Sequence, residues 1–202
     1  MKRYLLKTIT AAAIITACLF TASCNSSKPS SSGEDDTDDT TTAVTVEETT
    51  EATEEQAVPE GFSPDFTFTT TDRDGNSWDE SVFAGNELTM INFWEPWCGP
   101  CVSEMPELQR LYEDYSDRGF LIIGVYSDDT QEGSVDEVLS SSGITYPILH
   151  YTSEFDEFQT GYVPTTIFVD GEGHIVTAPD QDSAIVGSDS YDGWAKIIED
   201  LL

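Results

Sequence analysis

The chain has 202 residues, with 39 acidic against 8 basic side chains and a formal net charge of −31. That length suits one domain plus appendages. A charge this negative excludes a nucleic-acid binder and a peripheral grip on anionic lipid, because phosphates are repelled rather than neutralised. Two readings of the acid stay open: solubility, and a role in choosing cationic partners. The four cysteines, Cys18, Cys24, Cys98 and Cys101, do not make the disulfide framework of a small secreted fold.

Lys2, Arg3 and Lys7 give a positive start, Thr8 to Phe20 is apolar, and Thr21, Ala22 and Ser23 are small. This is the layout of a secretory signal over residues 1–23. A retained membrane helix needs about 20 strongly apolar residues, and this threonine-diluted stretch is too short. Leu19-Phe20-Thr21-Ala22-Ser23-Cys24 resembles a bacterial lipoprotein box, with Thr21 standing where the family usually has an aliphatic residue. The resemblance implies cleavage before Cys24 and a diacylglyceryl group on its thiol. The chain is then lipid-anchored on the extracytoplasmic face of the bacterial cell membrane. Plain secretion with an incidental cysteine is the alternative.

Residues 24–60 are built from Ser, Thr, Asp and Glu with almost no large apolar side chain. Such a segment cannot bury enough surface to offset chain entropy, and like charges extend it, so a disordered acidic tether is expected. Composition changes at Gly61, and residues 61–202 are expected to fold as one domain, with 28 acids against 4 bases.

In that domain Phe62 to Thr71 alternates weakly and leads into the turn cluster Asp72-Arg73-Asp74-Gly75-Asn76, which predicts a hairpin. Leu88 to Trp94 and Phe120 to Tyr126 are short apolar runs, hence buried strands. Pro100 to Tyr115 reads as a helix with Pro100 near its first position and Leu108, Leu111 and Tyr115 on one face. Ser134 to Ser141 reads as a second helix and Tyr146 to His150 as a short strand. Thr165 to Asp170 and His174 to Thr177 flank Gly171-Glu172-Gly173, a second hairpin, and Tyr191 to Leu202 closes the chain as an amphipathic helix. Early alternation of strand and helix implies a parallel core, and the ending implies an antiparallel edge, giving an α/β fold.

Phe93-Trp94-Glu95-Pro96-Trp97-Cys98-Gly99-Pro100-Cys101 follows a strand and opens a helix. Three residues is about one helical turn, so the two sulfurs can reach bonding distance. A thiolate at a helix N-terminus is stabilised by the dipole and the free amides. Cys98, at the exposed end, is expected to attack a partner disulfide, and Cys101, one turn in, to resolve the mixed disulfide. An inert disulfide is disfavoured because so small a loop restrains almost nothing. Zinc is disfavoured because it wants four ligands and there is no second C-x-x-C. Neither metal nor cofactor is expected beyond the redox-active pair itself.

The run W-C-G-P-C after an apolar strand resembles the thioredoxin-family active-site motif. The wider segment is similar to the TlpA/ResA-like branch of exported thioredoxin-like proteins. That branch carries a hairpin with a D-x-x-G turn, here Asp72 to Gly75, and then F-W-x-x-W-C-x-x-C-x-x-E-x-P, here Phe93 to Pro106. The resemblance implies a thioredoxin-like fold, with a central mixed sheet, helices on both faces and an extra N-terminal hairpin. It implies action on protein thiols and disulfides, mostly as a reductant, with electrons from a CcdA/DsbD-type membrane donor; a monomer is expected. It also implies a cis bond between Val163 and Pro164, facing the cysteines and exposing the backbone of Val163 to a substrate peptide that Trp97 also contacts.

Cytoplasmic thioredoxins carry a buried Asp where this chain has Asn92, which does not titrate. Glu104, three residues after Cys101 and on the same side of the helix, is associated in the resembling branch with tuning the cysteine pair. It is expected to take the proton-relay role, with its pKa raised by partial burial. A solvated first-turn glutamate is the alternative. Rival functions are a thiol oxidant, disfavoured by Gly99-Pro100 between the cysteines, and a non-catalytic surface binding module. A thiol peroxidase is disfavoured because there is no P-x-x-x-T-x-x-C motif.

Overall fold

The computed structural model describes residues 59–202. The signal segment, Cys24 and the tether up to residue 58 lie outside the described residues. In chain order the elements are β1 (Thr69–Thr71), β2 (Ser77–Asp79), β3 (Leu88–Phe93), α1 (Gly99–Tyr115), β4 (Phe120–Tyr126), α2 (Glu132–Ser142), β5 (Ile148–His150), β6 (Thr165–Asp170), β7 (Ile175–Val176), β8 (Ile185–Val186) and α3 (Tyr191–Leu201).

The main sheet runs β5-β4-β3-β6-β7, with β8 also paired to β6. β3, β4 and β5 are parallel, and β6 turns antiparallel against β3. Every residue of β3 and β4 is buried, as expected of central parallel strands covered on both faces. β1 and β2 form a separate antiparallel hairpin. Its turn is organised by Asp72, whose Oδ1 accepts the amides of Asp74 and Asn76 at 2.9 Å each and whose Oδ2 accepts from Trp78 Nε1 at 3.1 Å.

Successive strand residues point to opposite faces. Leu88, Met90, Ile122 and Phe168 pack under the helices with Leu108, Leu111, Val135, Trp194 and Ile198. Ile91, Phe93, Ile123, Val125 and Ile167 pack on the other face with Phe66, Phe68, Phe83, Phe155 and Phe158. Both faces therefore carry helix, but unequally. The three α-helices contribute to the first layer, whereas the second is covered by two 3₁₀ helices, Glu80–Gly85 and Ser153–Phe158, and the segment ahead of β1.

Neither 3₁₀ helix nor β8 is expected from the sequence, and α2 starts at Glu132 rather than Ser134. β7 is only two residues long, shorter than the predicted strand. The β6–β7 turn needs Gly173, which has φ +85° and backs onto Pro64, so an added Cβ would lie 2.5 Å from the Pro64 Cβ. Helix α1 runs through Pro106 without ending, although that residue cannot donate to the Val102 carbonyl.

Candidate active site

Strand β3 delivers Trp94 to Trp97 to one end of the sheet, and α1 starts immediately after. Cys98 is its N-cap and Pro100 lies in its first turn, where a missing amide proton costs nothing. Phe93 pairs with Thr165, so the segment entering β6 lies beside the start of α1. The Val163–Pro164 bond in that segment is cis.

Cys98 and Cys101 form a disulfide with their Cα atoms 5.3 Å apart. Cys98 Sγ accepts the Cys101 amide at 3.2 Å, the contact that would stabilise a Cys98 thiolate. The same sulfur lies 3.5 Å from the Val163 carbonyl oxygen. In the disulfide it has no proton to donate, so this is a packing contact that becomes a possible S–H donor on reduction. Cys98 is 6% exposed and Cys101 1%. Cys98 is the more accessible of the two, but it is not the exposed residue expected from the sequence. The Val163 carbonyl and the turn below cover it, and the exposure falls on Trp97, at 62%.

That turn is anchored through Glu95. Its carbonyl accepts the Cys98 amide at 3.0 Å, and its buried Oε1 accepts the amide of Ser127 at 3.0 Å and the Ser127 hydroxyl. Trp94 is fully buried against Tyr126, with ring centroids 6.0 Å apart, and serves packing.

Beneath the cysteines the helix-side core is polar. Glu104 is 3% exposed, so it is not a solvated helix residue. Its Oε1 accepts from Asn92 Nδ2 at 3.3 Å. Its Oε2 accepts from Trp194 Nε1 at 3.2 Å and from the Asp189 amide at 3.3 Å. Asn92 also donates to Thr166 Oγ1 at 3.1 Å. Burial pushes the Glu104 carboxyl up to about 7, against the downward pull of Trp194, the Asp189 amide and Asn92. Burial likewise raises Tyr146, helped by the Glu104 charge.

The predicted residues Cys98, Cys101, Trp97, Val163 and Pro164 thus meet at one end of the sheet, with Glu104 below them. No local pattern in the sequence marks Asp189 or Trp194, which lie 85 and 90 residues away from Glu104. Tyr162, next to Val163, is 72% exposed and is not expected from the sequence. Its one available signal was adjacency to the Pro164 motif. Its backbone is held in place: the carbonyl accepts from Thr165 Oγ1 at 2.8 Å, and the amide reaches Thr160 Oγ1 at 3.3 Å.

A redox-capable cysteine pair capping the helix after the central strand, opposite a cis-proline loop, defines a thioredoxin-fold protein. The chain belongs to the AhpC/TSA family, whose profile matches residues 62–178, and within it to the ResA-like thiol-disulfide oxidoreductases. It is 32% identical over 126 residues to thiol-disulfide oxidoreductase ResA of Geobacillus kaustophilus, covering 61% of this chain and 70% of that one. It is 39% identical over 88 residues to ResA of Oceanobacillus iheyensis, 43% of this chain, and there the match spans just under half, 45%, of the relative's length. Among solved structures, a thiol:disulfide interchange protein of the thioredoxin family from Chlorobium tepidum superposes with a TM-score of 0.58 at 25% identity. That match covers 69% of this chain and 95% of the other.

Proposed function

We propose that this chain is an extracytoplasmic, lipid-anchored thiol-disulfide oxidoreductase that passes electrons to protein disulfides. The observation carrying the reading is the Cys98–Cys101 pair at the N-terminus of α1, with the Cys101 amide directed at Cys98 Sγ. In the dithiol form the Cys98 thiolate attacks one sulfur of a partner disulfide, and the other partner sulfur leaves as a thiolate. Cys101 then loses its proton and attacks Cys98 Sγ. The mixed disulfide breaks, the partner's second sulfur departs, and the Cys98–Cys101 disulfide remains. Two electrons have moved, the partner disulfide has become two thiols, and a dithiol donor must recharge the pair. A CcdA/DsbD-type membrane protein is the proposed donor.

Glu104 is the proposed acceptor for the Cys101 proton, lying one turn further along α1 with a carboxyl that titrates near neutrality. Trp97, Val163 and Pro164 form the proposed seat for the partner peptide, which would pair with the Val163 backbone as an added strand. Gly99-Pro100 supports the reducing direction by resemblance.

Cys101→Ser is expected to accumulate mixed disulfides through Cys98 when mixed with an oxidised protein such as insulin, whereas Cys98→Ser is not. Trapping by Cys98→Ser alone would reverse the assignment, and trapping by neither would refute exchange. The anchor rests on the sequence at Cys24. Mass spectrometry of the mature N-terminus is expected to find diacylated Cys24, and a soluble product cut elsewhere would remove the membrane from the account.

A further inference from the structure

We infer that the rim of the redox site is a docking surface for an extended, lysine- or arginine-rich segment of a disulfide-bearing protein, gripped between Trp97 and Tyr162. The inference names the partner class and so rests on the exchange reading proposed above.

The rim is fixed by topology. Phe93 pairs with Val125 in parallel and with Thr165 in antiparallel register, and Thr165 pairs with Val186. Residues 94–98, 127–131, 159–164 and 187–190 therefore emerge at one end of the sheet. Two large apolar side chains stand out there. Trp97 belongs to the first of these segments and Tyr162 to the third, and the contact between Cys98 Sγ and the Val163 carbonyl ties the two segments together. The hydrogen bonds to Thr160 and Thr165 fix the backbone that presents Tyr162, so the ring stands out from an ordered loop.

The charge around these rings has one sign. The four segments contain no Lys or Arg but carry Glu95, Asp128, Asp129 and Asp189. Glu95 is buried, while Asp129 and Asp189 are exposed. Among the described residues every Lys and Arg is already matched by a carboxylate of this chain. Arg110 pairs with Glu107 at 2.9 Å, Arg118 with Glu199 at 2.6 Å and Lys196 with Asp200 at 2.6 Å. Arg73, which reaches toward this end through Glu132, is held by two carboxylates, Glu132 at 3.1 Å and Asp136.

A cationic segment is drawn to this rim, and its ammonium or guanidinium groups can settle on the exposed indole and phenol faces. An acidic segment is repelled, and so is a second copy of this chain, which carries a net charge of −31.

The test uses the reduced full chain and two synthetic peptides that share one neutral intrachain disulfide, flanked by lysines in one and glutamates in the other. At about 20 mM salt the lysine peptide is expected to be reduced about tenfold faster or more, with the ratio falling toward one at about 0.5 M. Asp129→Asn with Asp189→Asn should lower the ratio. Tyr162→Ala should raise KM for the lysine peptide more than it lowers kcat. Equal rates, a faster glutamate peptide or a salt-independent ratio would overturn the docking surface.

Hydroxyethyl disulfide, which has no flanking chain, reports separately on exchange, so its turnover upholds that reading even when the peptides do not differ. Calorimetry with Cys-to-Ser versions of both peptides reads docking without chemistry. Preference for the lysine form shows docking separately from turnover, and no preference sinks the inference.

Discussion

The two faces of the central sheet are built on different chemistry. The face away from the α-helices is a layer of rings. Phe155 lies 5.0 Å from Phe68, 5.6 Å from Phe93 and 6.4 Å from Phe66, centroid to centroid, with no titratable group among the side chains of that cluster except Tyr112 and Tyr151 at its margin. The helix face is apolar along most of its length. At the redox end it gives way to Asn92, Thr166 and Glu104, all buried. One face stabilises the fold by burial alone, and the other gives up some of that stability to keep a titrating carboxylate beneath the cysteines. Stability and redox behaviour should therefore respond to different substitutions.

The largest effect on stability is expected on the ring face. Phe155→Ala removes a fully buried ring and should cost about 3–5 kcal/mol, read as a lower denaturant midpoint. The reduction potential of the cysteine pair should hardly move. A variant that folds but shifts the potential strongly would break the separation between the faces.

Next in size is Glu104→Gln, which stands in for the protonated acid. A carboxyl raised from its ordinary 4.5 to about 7 binds more protons folded than unfolded between those values. The contribution of Glu104 to stability is therefore fullest below about 4.5 and is lost as pH rises through about 7, by an amount on the order of 3 kcal/mol. The Gln variant should lack this slope. Denaturation of the oxidised protein at pH 5 and pH 8 measures it, and equal slopes would place Glu104 outside the titration. In exchange assays the same variant should leave the attack by Cys98 nearly unchanged and lengthen the life of the mixed disulfide.

The smallest effect is expected from Trp194→Phe, which keeps a ring in the core but removes one donor to Glu104 Oε2. The loss should be about 1–2 kcal/mol at pH 8, where the carboxylate needs that donor. The Glu104 titration should move upward, because one of the contacts holding it down is gone. A downward move would mean that Trp194 acts on Glu104 only by packing.

Much of this was legible in the sequence, for identifiable reasons. The Leu88–Phe93 and Phe120–Tyr126 strands announce themselves because strands covered on both faces must be apolar throughout. Helix α1 is marked by Pro100 and by Leu108, Leu111 and Tyr115 on one side. The cysteine pair is local in sequence, so its chemistry could be read from spacing.

The missed features are those settled by distant contacts. Phe155 and Phe158 sit in a six-residue 3₁₀ helix that is half acidic, too short for a periodicity, and are buried only because the ring layer receives them. Two-residue β8 exists because β6 offers it an edge. Asn92 could be recognised as a residue that does not titrate. Its role as a donor to Glu104 follows only once β3 is laid beneath α1.

The most direct test is the reduction potential of the Cys98–Cys101 couple, followed from pH 5 to pH 9 in the full chain and in Glu104→Gln. A carboxylate coupled to the thiols shifts their apparent titration and is shifted by them. The wild-type curve is expected to change slope near neutrality, and this break should vanish in Glu104→Gln. Superimposable curves would contradict it, leaving Glu104 a buried structural acid with no part in the exchange.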